Sequence, residues 1–356
     1  MRVDALEVIP YSLPFREPYV TARGMLTDRE LLLVRLRAEG IQGLGETTAL
    51  SLRAGLPLDV VARELRDLCE PALTGVELEP ERTWAALARC RTRGAGPQAL
   101  AAVDIALHDL AGKALGRPVW RLLDASVSHP VTCNATLPIA NPSKLRALLE
   151  PWWADGFRTF KLKVGTPGDV AQVAMARQSL GADARIRLDA NGAWTVDGAA
   201  TRLRTLSRHT IELVEEPVAG LEKMARLASR TRTRLAADES VTTPREAREA
   251  IELGACQLVT VKLAKVGGIA AALRIKEVIS IYLSSALEGP VGIAAAAHLA
   301  QMLPGGGPAH GLATERLFSA TIGSGVPLEG DQLVVGEEPG LGVTLDEEAL
   351  ASRRLE

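Results

Sequence analysis

Hydrophobic stretches separated by turn residues in the first part of the chain are typical of antiparallel β-strands. Residues 31–37 and 41–46 predict two antiparallel strands joined by a short turn. The preceding residues 18–24 contain turn-forming residues and two polar side chains, Thr21 and Arg23, and predict a loop. The chain is therefore predicted to begin with an antiparallel sheet.

A helical period follows this sheet. Leu58, Val61 and Leu65 recur at spacings of three and four residues, which places them on one face of a helix. A longer helix is predicted over residues 98–111. Together with the strands, these helices predict an α+β domain of residues 1–125.

From residue 131 onwards, short β-branched segments alternate with amphipathic helices at the spacing of one βα unit. The candidate strands are residues 131–137, 158–164, 185–189, 211–215, 234–238, 257–261, 281–285 and 310–313. Eight such units typically close into a (β/α)8 barrel. The alternative is an open doubly wound sheet, but its Gly-x-Gly-x-x-Gly signature is absent after the first strand.

Length, net charge and cysteine spacing indicate which classes of protein this chain can belong to. A length of 356 residues suffices for a barrel with an appended domain, and the formal net charge of −2 gives no reason to expect a nucleic acid or a membrane surface as a partner. The start lacks the apolar core of a signal peptide, so we expect a cytoplasmic location. The cysteines form no Cys-x-x-Cys pair, and we expect reduced thiols and structural roles for His298 and His310.

Two lysines lie two residues apart in the second predicted barrel strand. Because side chains alternate between the faces of a strand, Lys161 and Lys163 share one face of an otherwise apolar strand. Such a pair requires facing anions or a lowered lysine pKa, and a lysine with a lowered pKa can act as a base. Lys262 ends the sixth predicted strand and would face this pair across the barrel mouth.

Three successive predicted strands end in one carboxylate each, Asp189, Glu215 and Asp238. Neighbouring strands are about 4.8 Å apart, and barrel active sites lie at the carboxyl ends of strands, so these groups should converge. Carboxylates this close together need a cation, and hard oxygen ligands suit Mg²⁺, or Mn²⁺ in its place. The alternative is that each acid caps a helix or forms an ion pair, but three acids in register beside lysines favour a metal site.

Two further acids adjoin the proposed ligands and are alternative ligands. Glu216 and Glu239 each follow one of the acids directly, and strand alternation turns them to the opposite face, although strand ends often bend. Asn191 lies on the same side as Asp189 and is predicted to support the site. A divalent cation with lysines on both sides suits the removal of a proton α to a carboxylate, since the cation neutralises the enediolate that forms. We therefore expect a small carboxylate as substrate.

Motifs at the strand ends occur in order along nearly the whole chain. They are Gly-Leu-Gly-Glu at 43–46, Lys-Leu-Lys at 161–163, Leu-Asp-Ala-Asn-Gly at 188–192, Val-Glu-Glu-Pro at 214–217, Ala-Asp-Glu-Ser at 237–240, Val-Lys at 261–262 and Ser-Ser-Ala-Leu-Glu at 284–288. With these motifs the chain resembles the enolase superfamily, in its muconate-lactonizing-enzyme subgroup.

The resemblance implies an α/β fold, with a modified (β/α)7β barrel of residues 126–317 under an N-terminal α+β capping domain. The capping domain would comprise residues 1–125, with the C-terminal tail of about residues 318–356 packed on it. The resemblance implies Asp189, Glu215 and Asp238 as magnesium ligands, and Lys163 and Lys262 as the acid–base pair, with Lys161 supporting Lys163. The residues that we expect at the substrate are Thr21, Arg23, Thr136, Asn191, Ser285 and Glu288.

The resemblance also indicates which reactions of the family this chain is expected to catalyse. Residues 284–288 and 292–295 look most like those of o-succinylbenzoate synthase and N-succinylamino-acid racemase. Muconate cycloisomerase and dipeptide epimerase are the alternatives within the family, and a binding protein that has lost activity on the same scaffold is an alternative outside enzymes. Barrels of this type often associate, so we also expect a homo-oligomer.

Overall fold

The N-terminal region forms an antiparallel sheet in a computed structural model, which describes residues 1–50 and 55–355. The strands are β1 (Val3–Thr21), β2 (Gly24–Ala38) and β3 (Ile41–Thr48), paired in the order β1-β2-β3. The two strands predicted within residues 31–46 are therefore confirmed as parts of β2 and β3.

The predicted loop at residues 18–24 is wrong. Residues 19–21 continue β1 and pair with residues 24–26 of β2, which leaves a two-residue turn at Ala22 and Arg23. Aromatic and β-branched side chains favour strands, and residues 19–21 are Tyr-Val-Thr, so this segment extends the hairpin. The tip of the hairpin, residues 19–26, is called the capping hairpin below. It contacts the barrel, where the backbone N–H of Ile139 donates to the carbonyl of Val20 at 2.9 Å.

Helices cover one side of this sheet. They are α1 (Leu58–Arg63), α2 (Glu70–Leu73), α3 (Leu87–Thr92), α4 (Pro97–Leu115) and α5 (Val119–Leu122), with a π-helix at Glu64–Cys69 and a 3₁₀-helix at Pro80–Ala86. The long helix predicted at residues 98–111 is confirmed as α4, which packs directly on β3. A side chain at Gly45 would collide with the backbone carbonyl of Ala102, so glycine permits this close packing. A hydrophobic core lies between the sheet and these helices.

The barrel follows from residue 131. Its first strand is preceded by β4 (Val131–Thr132), which belongs to another sheet, and the barrel strands are β5 (Ala135–Leu137), β6 (Thr159–Lys163), β7 (Arg185–Asp189), β8 (Ile211–Glu215), β9 (Leu235–Ala237), β10 (Leu258–Val261) and β11 (Ile281–Leu283). Its helices are α6 (Pro142–Ala154), α7 (Asp169–Leu180), α8 (Val196–Leu206), α9 (Leu221–Ala228), α10 (Pro244–Glu252), α11 (Leu263–Val266), α12 (Ile269–Lys276) and α13 (Pro290–Ala300), with a 3₁₀-helix at Ser207–His209. Strands β5 to β11 form one parallel sheet in sequence order.

The barrel closes through a short segment rather than a full eighth strand. His310 forms a parallel bridge with Cys133, and Gly311 forms one with Ser284, which joins the two edges of the sheet. The strand predicted at residues 310–313 is therefore reduced to two bridged residues, because Ala313–Leu317 already forms a 3₁₀-helix. The fold prediction, a modified (β/α)7β barrel with an N-terminal capping domain, is confirmed.

The C-terminal residues contact both the barrel region and the N-terminal sheet. They form β12 (Gly323–Ser324), β13 (Leu328–Glu329), β14 (Gln332–Leu333), β15 (Thr344–Leu345) and α14 (Glu347–Arg353). Strand β14 pairs with β4, which leads into the first barrel strand. Glu347 forms an ion pair with Arg35 of β2 at 2.5 Å, and the backbone N–H of Leu355 donates to the carbonyl of Pro10 at 2.9 Å. Within residues 1–50 and 55–355, no helix combines the length and apolar composition needed to cross a membrane.

A buried carboxyl group joins the capping domain to the barrel. Glu46 of β3 accepts hydrogen bonds from the hydroxyl of Tyr11 and from the backbone N–H of Gly292 in α13, the latter at 2.7 Å. Burial is the main reason that the pKa of Glu46 is raised to about 8; the nearby carboxyl groups of Glu288 and Glu315 add to this rise, and the two hydrogen bonds oppose it. The protonated form of Glu46 is therefore favoured in the folded state at neutral pH.

Glu46 should make stability depend on pH. Its folded-state pKa of about 8 lies above the ordinary value of 4.5, so its contribution is complete below pH 4.5 and is lost as the pH rises through about 8. Glu46→Gln keeps the shape of the side chain without titrating. We expect the melting temperature of the variant, relative to that of the wild type, to rise between pH 5 and pH 8.5 in thermal melts. A difference that is constant over this range would contradict the assignment.

Candidate active site

Strand register brings the predicted side chains to one place. Lys163 of β6 lies beside Asp189 of β7, which lies beside Glu215 of β8. Asp238 follows the next strand, β9. Because paired positions of neighbouring strands point to the same face, these four side chains project together, and all are buried.

The three acids form a cluster that fits a divalent cation. One carboxylate oxygen from each of Asp189, Glu215 and Asp238 lies within 4.8 Å of the others. All three residues are fully buried, and Glu215 Oε1 has no hydrogen-bond partner among the described residues. An oxygen-only set of this kind suits Mg²⁺ or Mn²⁺. The structure thus brings together the three acids that the sequence singled out.

Lysines flank this acid cluster on two sides. Lys161 Nζ lies 2.5 Å from Glu215 Oε2 and 2.9 Å from Asp189 Oδ2. Lys163 Nζ lies 2.6 Å from Asp189 Oδ2. Lys262, from the other side, forms an ion pair with Asp238 and lies 3.6 Å from Glu215 Oε1. The arrangement places ammonium groups at both ends of a row of acids.

The charges in this cluster shift the pKa values of its members. Burial alone would raise the pKa of Asp189, but Lys161, Lys163 and Lys262 hold it well below its usual range. Burial, with the charge of Asp189, raises the pKa of Glu215. Burial lowers the pKa of Lys161, yet Asp189 and Glu215 together outweigh it and the pKa lies well above its ordinary value. Of the two alternatives for the lysine pair, facing anions or a lowered pKa, the structure therefore shows facing anions at Lys161, because two carboxylates contact its ammonium group.

Two further residues contact the acids and were not identified from the sequence. Lys265 of α11 donates to Asp238 Oδ1 at 2.7 Å and to the carbonyl of Thr260 at 3.2 Å. The hydroxyl of Tyr282 in β11 donates to Glu215. The signals available were the three-residue helical spacing between Lys265 and Lys262, and the inward position of Tyr282 in a strand.

The neighbouring acids, Glu216 and Glu239, are not members of the three-acid cluster. Glu216 accepts hydrogen bonds from the backbone N–H groups of Asp238, at 2.8 Å, and of Ser240, at 3.3 Å. Burial raises the pKa of Glu216 to about 7. Glu239 accepts from the amide of Asn191 at 3.0 Å, and the amide oxygen of Asn191 accepts from Lys163 Nζ at 3.0 Å. Asn191 therefore holds Lys163 in position beside Asp189, to which its own backbone N–H donates at 3.1 Å.

The capping hairpin closes over the barrel mouth. A narrow cavity, here called the capping cavity, lies beneath it. Its lining residues are Tyr19, Thr21, Leu26, Arg29, Leu50, Asn191 and Leu287. The hydroxyl of Thr21 accepts from the N–H of Arg23 at 3.1 Å and donates to the carbonyl of Gly24 at 3.2 Å, so it also holds the turn. Arg23 is exposed, and its Nε donates to the carbonyl of Asn191 at 2.9 Å.

The other expected substrate contacts have hydrogen-bond partners within the protein. Thr136 pairs with Lys161 across β5 and β6 and accepts from the amide of Asn134 at 3.1 Å. The hydroxyl of Ser285 donates to Glu288 Oε2 at 2.6 Å and accepts from the N–H of Glu288 at 3.0 Å. These two side chains thus bind each other before α13. A direct contact of Thr136, Ser285 or Glu288 with substrate stays a prediction.

The two histidines singled out earlier have structural contacts. The N–H of Trp120 donates to His298 Nδ1 at 3.1 Å, and the N–H of Leu283 donates to His310 Nδ1 at 3.0 Å. Burial lowers the pKa of His298 to about 4 and that of His310 to about 3. Both rings are therefore neutral at physiological pH and serve as buried hydrogen-bond acceptors, as the sequence predicted.

Comparison with known proteins identifies the family. Residues 5–124 match the family described as mandelate racemase / muconate lactonizing enzyme, N-terminal domain, and residues 144–349 match the family described as enolase C-terminal domain-like. The chain therefore belongs to the enolase superfamily, in its muconate-lactonizing-enzyme subgroup. It is an enzyme of a magnesium-dependent family of lyases and isomerases, and its relatives differ in reaction.

Three of these relatives carry different activities. An N-succinylamino acid racemase of Thermus thermophilus is 35% identical over 321 residues, which cover 86% of this chain and 84% of the relative. An o-succinylbenzoate synthase of Thermobifida fusca is 37% identical over 205 residues, 56% of this chain and 64% of the relative. The crystal structure of a dipeptide epimerase from Enterococcus faecalis, complexed with Mg and the dipeptide L-Leu-L-Tyr, matches this fold with a TM-score of 0.90. The match covers 97% of this chain and 100% of the epimerase chain, and the two sequences are 30% identical.

Proposed function

We propose that this enzyme removes the α-proton of a succinylated carboxylate substrate, either to racemise an N-succinylamino acid or to dehydrate the precursor of o-succinylbenzoate. The observation that carries the proposal is the placement of Lys163 and Lys262 on two sides of one acid cluster. Proton removal from one side and return from the other requires this placement. The similarity to an N-succinylamino acid racemase over 86% of the chain supports the same class of substrate.

Asp189, Glu215 and Asp238 would hold Mg²⁺, for which Mn²⁺ can substitute. When bound, the cation would supply the positive charge that stabilises the substrate carboxylate as the α-proton leaves. Lys161 would keep two of these acids in place, since its ammonium group bridges Asp189 and Glu215.

The lysines would carry the proton. Lys163 Nζ, held by Asp189 and Asn191, would take the α-proton from one side of the substrate. Lys262 lies on the Asp238 side of the cluster. In a racemisation it would return a proton to the opposite face, and in a dehydration it would stabilise the developing negative charge by its own positive charge.

Dehydration is the second candidate function. The observation in its favour is the identity of 37% to an o-succinylbenzoate synthase, which is confined to 205 residues. Both reactions begin with the same proton removal, so the residues described above serve either one. The fate of the intermediate separates them, since a racemase returns the proton whereas a synthase releases water.

The experiment is a substrate panel in the presence of Mg²⁺. N-succinylamino acids, the o-succinylbenzoate precursor, dipeptides and cis,cis-muconate are each incubated with the enzyme in D₂O, and products are followed by NMR and ultraviolet absorption. We expect inversion and α-deuteration of N-succinylamino acids, or dehydration of the precursor. Turnover of dipeptides or muconate alone would reject the proposal, as would no turnover of any succinylated compound.

A further inference from the structure

A tyrosine hydroxyl contacts the acid cluster from the last strand of the parallel sheet. Tyr282 lies in β11, with β10 and β9 between it and β8 in the order of the sheet, and is fully buried. Its hydroxyl donates to Oε2 of Glu215, which ends β8. Its ring packs in a small hydrophobic cluster with Leu213, Ala236 and Leu258. The ring thus presents a hydroxyl group to one of the three acids that we propose as metal ligands.

Two donors meet at one oxygen of the Glu215 carboxylate. Lys161 Nζ lies 2.5 Å from Oε2, the same atom that accepts from the Tyr282 hydroxyl. The other oxygen, Oε1, is buried without a hydrogen-bond partner among the described residues, and Lys262 Nζ lies 3.6 Å from it. A buried polar atom without a partner calls for an explanation, and a bound ion is one. Protein donors therefore occupy one oxygen and leave the other for a cation.

The ring of Tyr282 is itself held in place. The guanidinium carbon of Arg187 lies 5.2 Å from the ring centroid, which is within the range of a cation–π contact. Arg187 is fully buried, and it pairs with Glu212 at 2.5 Å and donates from Nη1 to the carbonyl of Ala309 at 2.5 Å. Because the guanidinium group and the ring are both held, the hydroxyl approaches Glu215 from a fixed direction.

The number of oxygens that a carboxylate offers affects which cation it binds. Mg²⁺ requires a near-ideal octahedron of ligands at short distances. Ca²⁺ accepts about six to eight oxygens in a flexible arrangement, and it can take both oxygens of one carboxylate. A carboxylate whose second oxygen is held by two donors offers a single oxygen. Such a ligand favours the smaller cation.

We infer that Tyr282 is a positioning residue for the metal site: together with Lys161 it restricts Glu215 to one free oxygen, and so makes the site prefer Mg²⁺ to Ca²⁺. The inference rests on the proposed function, in which Glu215 is a metal ligand. It deepens that function, because it assigns the choice of cation to a residue that acts through a ligand rather than as one.

The test measures the affinities for the two cations by isothermal titration calorimetry, without substrate. Tyr282→Phe removes the hydroxyl and keeps the ring. We expect the affinity for Mg²⁺ to fall by about 10- to 100-fold, the usual effect of losing a hydrogen-bond partner of a metal ligand. The affinity for Ca²⁺ should change little, because Glu215 can then turn and offer both oxygens. The preference for Mg²⁺ should therefore fall by nearly the same factor as the affinity for Mg²⁺.

Tyr11→Phe is the matched control. Tyr11 is also fully buried, and its hydroxyl donates to a buried carboxyl group, that of Glu46. Glu46 joins the capping domain to the barrel and is not a member of the acid cluster. The control should lower the melting temperature without metal, as the loss of any buried hydrogen bond does, and keep both cation affinities and their ratio.

An unchanged preference in Tyr282→Phe, or an equal loss of both affinities, would overturn the inference and leave Tyr282 with a structural role. A wild type that binds no Mg²⁺ would also overturn it, since the ligand assignment would fail. If Tyr282→Phe does not fold, a crystal structure of the wild type with Mg²⁺ decides: contact through Oε1 of Glu215 alone supports the inference, and contact through Oε2 overturns it. The expected change in preference, without turnover of any succinylated compound, would keep the inference and reject the proposed function.

Discussion

Replacing Lys163 by alanine is expected to lower kcat for an N-succinylamino acid by about 10²–10⁴-fold, the contribution of a positioned acid–base group. Lys163 Nζ contacts Asp189 and Asn191 at the acid cluster, where the α-proton would leave. The rate is measured by following optical rotation with Mg²⁺ present. Lys223→Ala removes an exposed lysine of α9 as the control and should have the activity of the wild type.

The same variant should separate the two faces of the substrate. Because Lys163 and Lys262 lie on different sides of the cluster, Lys163→Ala should stop α-proton exchange of one enantiomer and retain that of the other. Lys262→Ala should show the reverse pattern. Unchanged activity of Lys163→Ala would exclude Lys163 as the base, and equal loss for both enantiomers in each variant would exclude a division of roles.

Replacing Glu215 by glutamine is expected to remove most of the affinity for Mg²⁺. Changes beside metal ligands commonly weaken binding by about 10- to 100-fold, so the loss of a ligand charge should exceed that range. In the wild type, Mg²⁺ should raise the melting temperature, because a ligand that binds the folded state stabilises it. That rise should be absent in Glu215→Gln, and the activity should no longer respond to added Mg²⁺.

The control for this variant is Glu222→Gln, which removes an exposed carboxylate of α9. It should bind Mg²⁺ as the wild type does. Glu215 also accepts from Lys161 and Tyr282, so melts without metal report any loss of stability separately. Equal Mg²⁺ affinity in Glu215→Gln and the wild type would show that the ligand assignment is wrong.

The carboxyl ends of the barrel strands were the part of the site that the sequence predicted best. Asp189, Glu215 and Asp238 each end a strand or follow one directly, and barrel geometry then requires them to meet. Two-residue alternation likewise placed Lys161 and Lys163 on one face. These inferences needed only strand order and side-chain direction, which local sequence determines.

Contacts between residues that are far apart in the sequence were harder to predict. Lys265 of the short helix α11 contacts Asp238, which follows β9, and Tyr282 of β11 contacts Glu215 of β8. Neither distance follows from spacing along the chain. Arg29 is a similar case, since its partner Ala286 is more than 250 residues away.

Local sequence patterns gave a wrong secondary-structure prediction in two segments. Residues 18–24 carry turn-forming residues, yet pairing with β2 extends the hairpin almost to its tip. Residues 310–313 have the composition of a strand end, but only His310 and Gly311 bridge the barrel edges before a 3₁₀-helix begins. The cytoplasmic location, the homo-oligomer and the domain boundaries stay predictions.

The most direct test of the central claim is the NMR signal of the α-proton of an N-succinylamino acid in D₂O with the wild-type enzyme. The acid cluster and its two flanking lysines predict that the signal disappears when Mg²⁺ is present and persists when EDTA removes it. Exchange that continues undiminished in EDTA, or no exchange of any succinylated substrate with Mg²⁺, would contradict a metal-assisted proton transfer at this site.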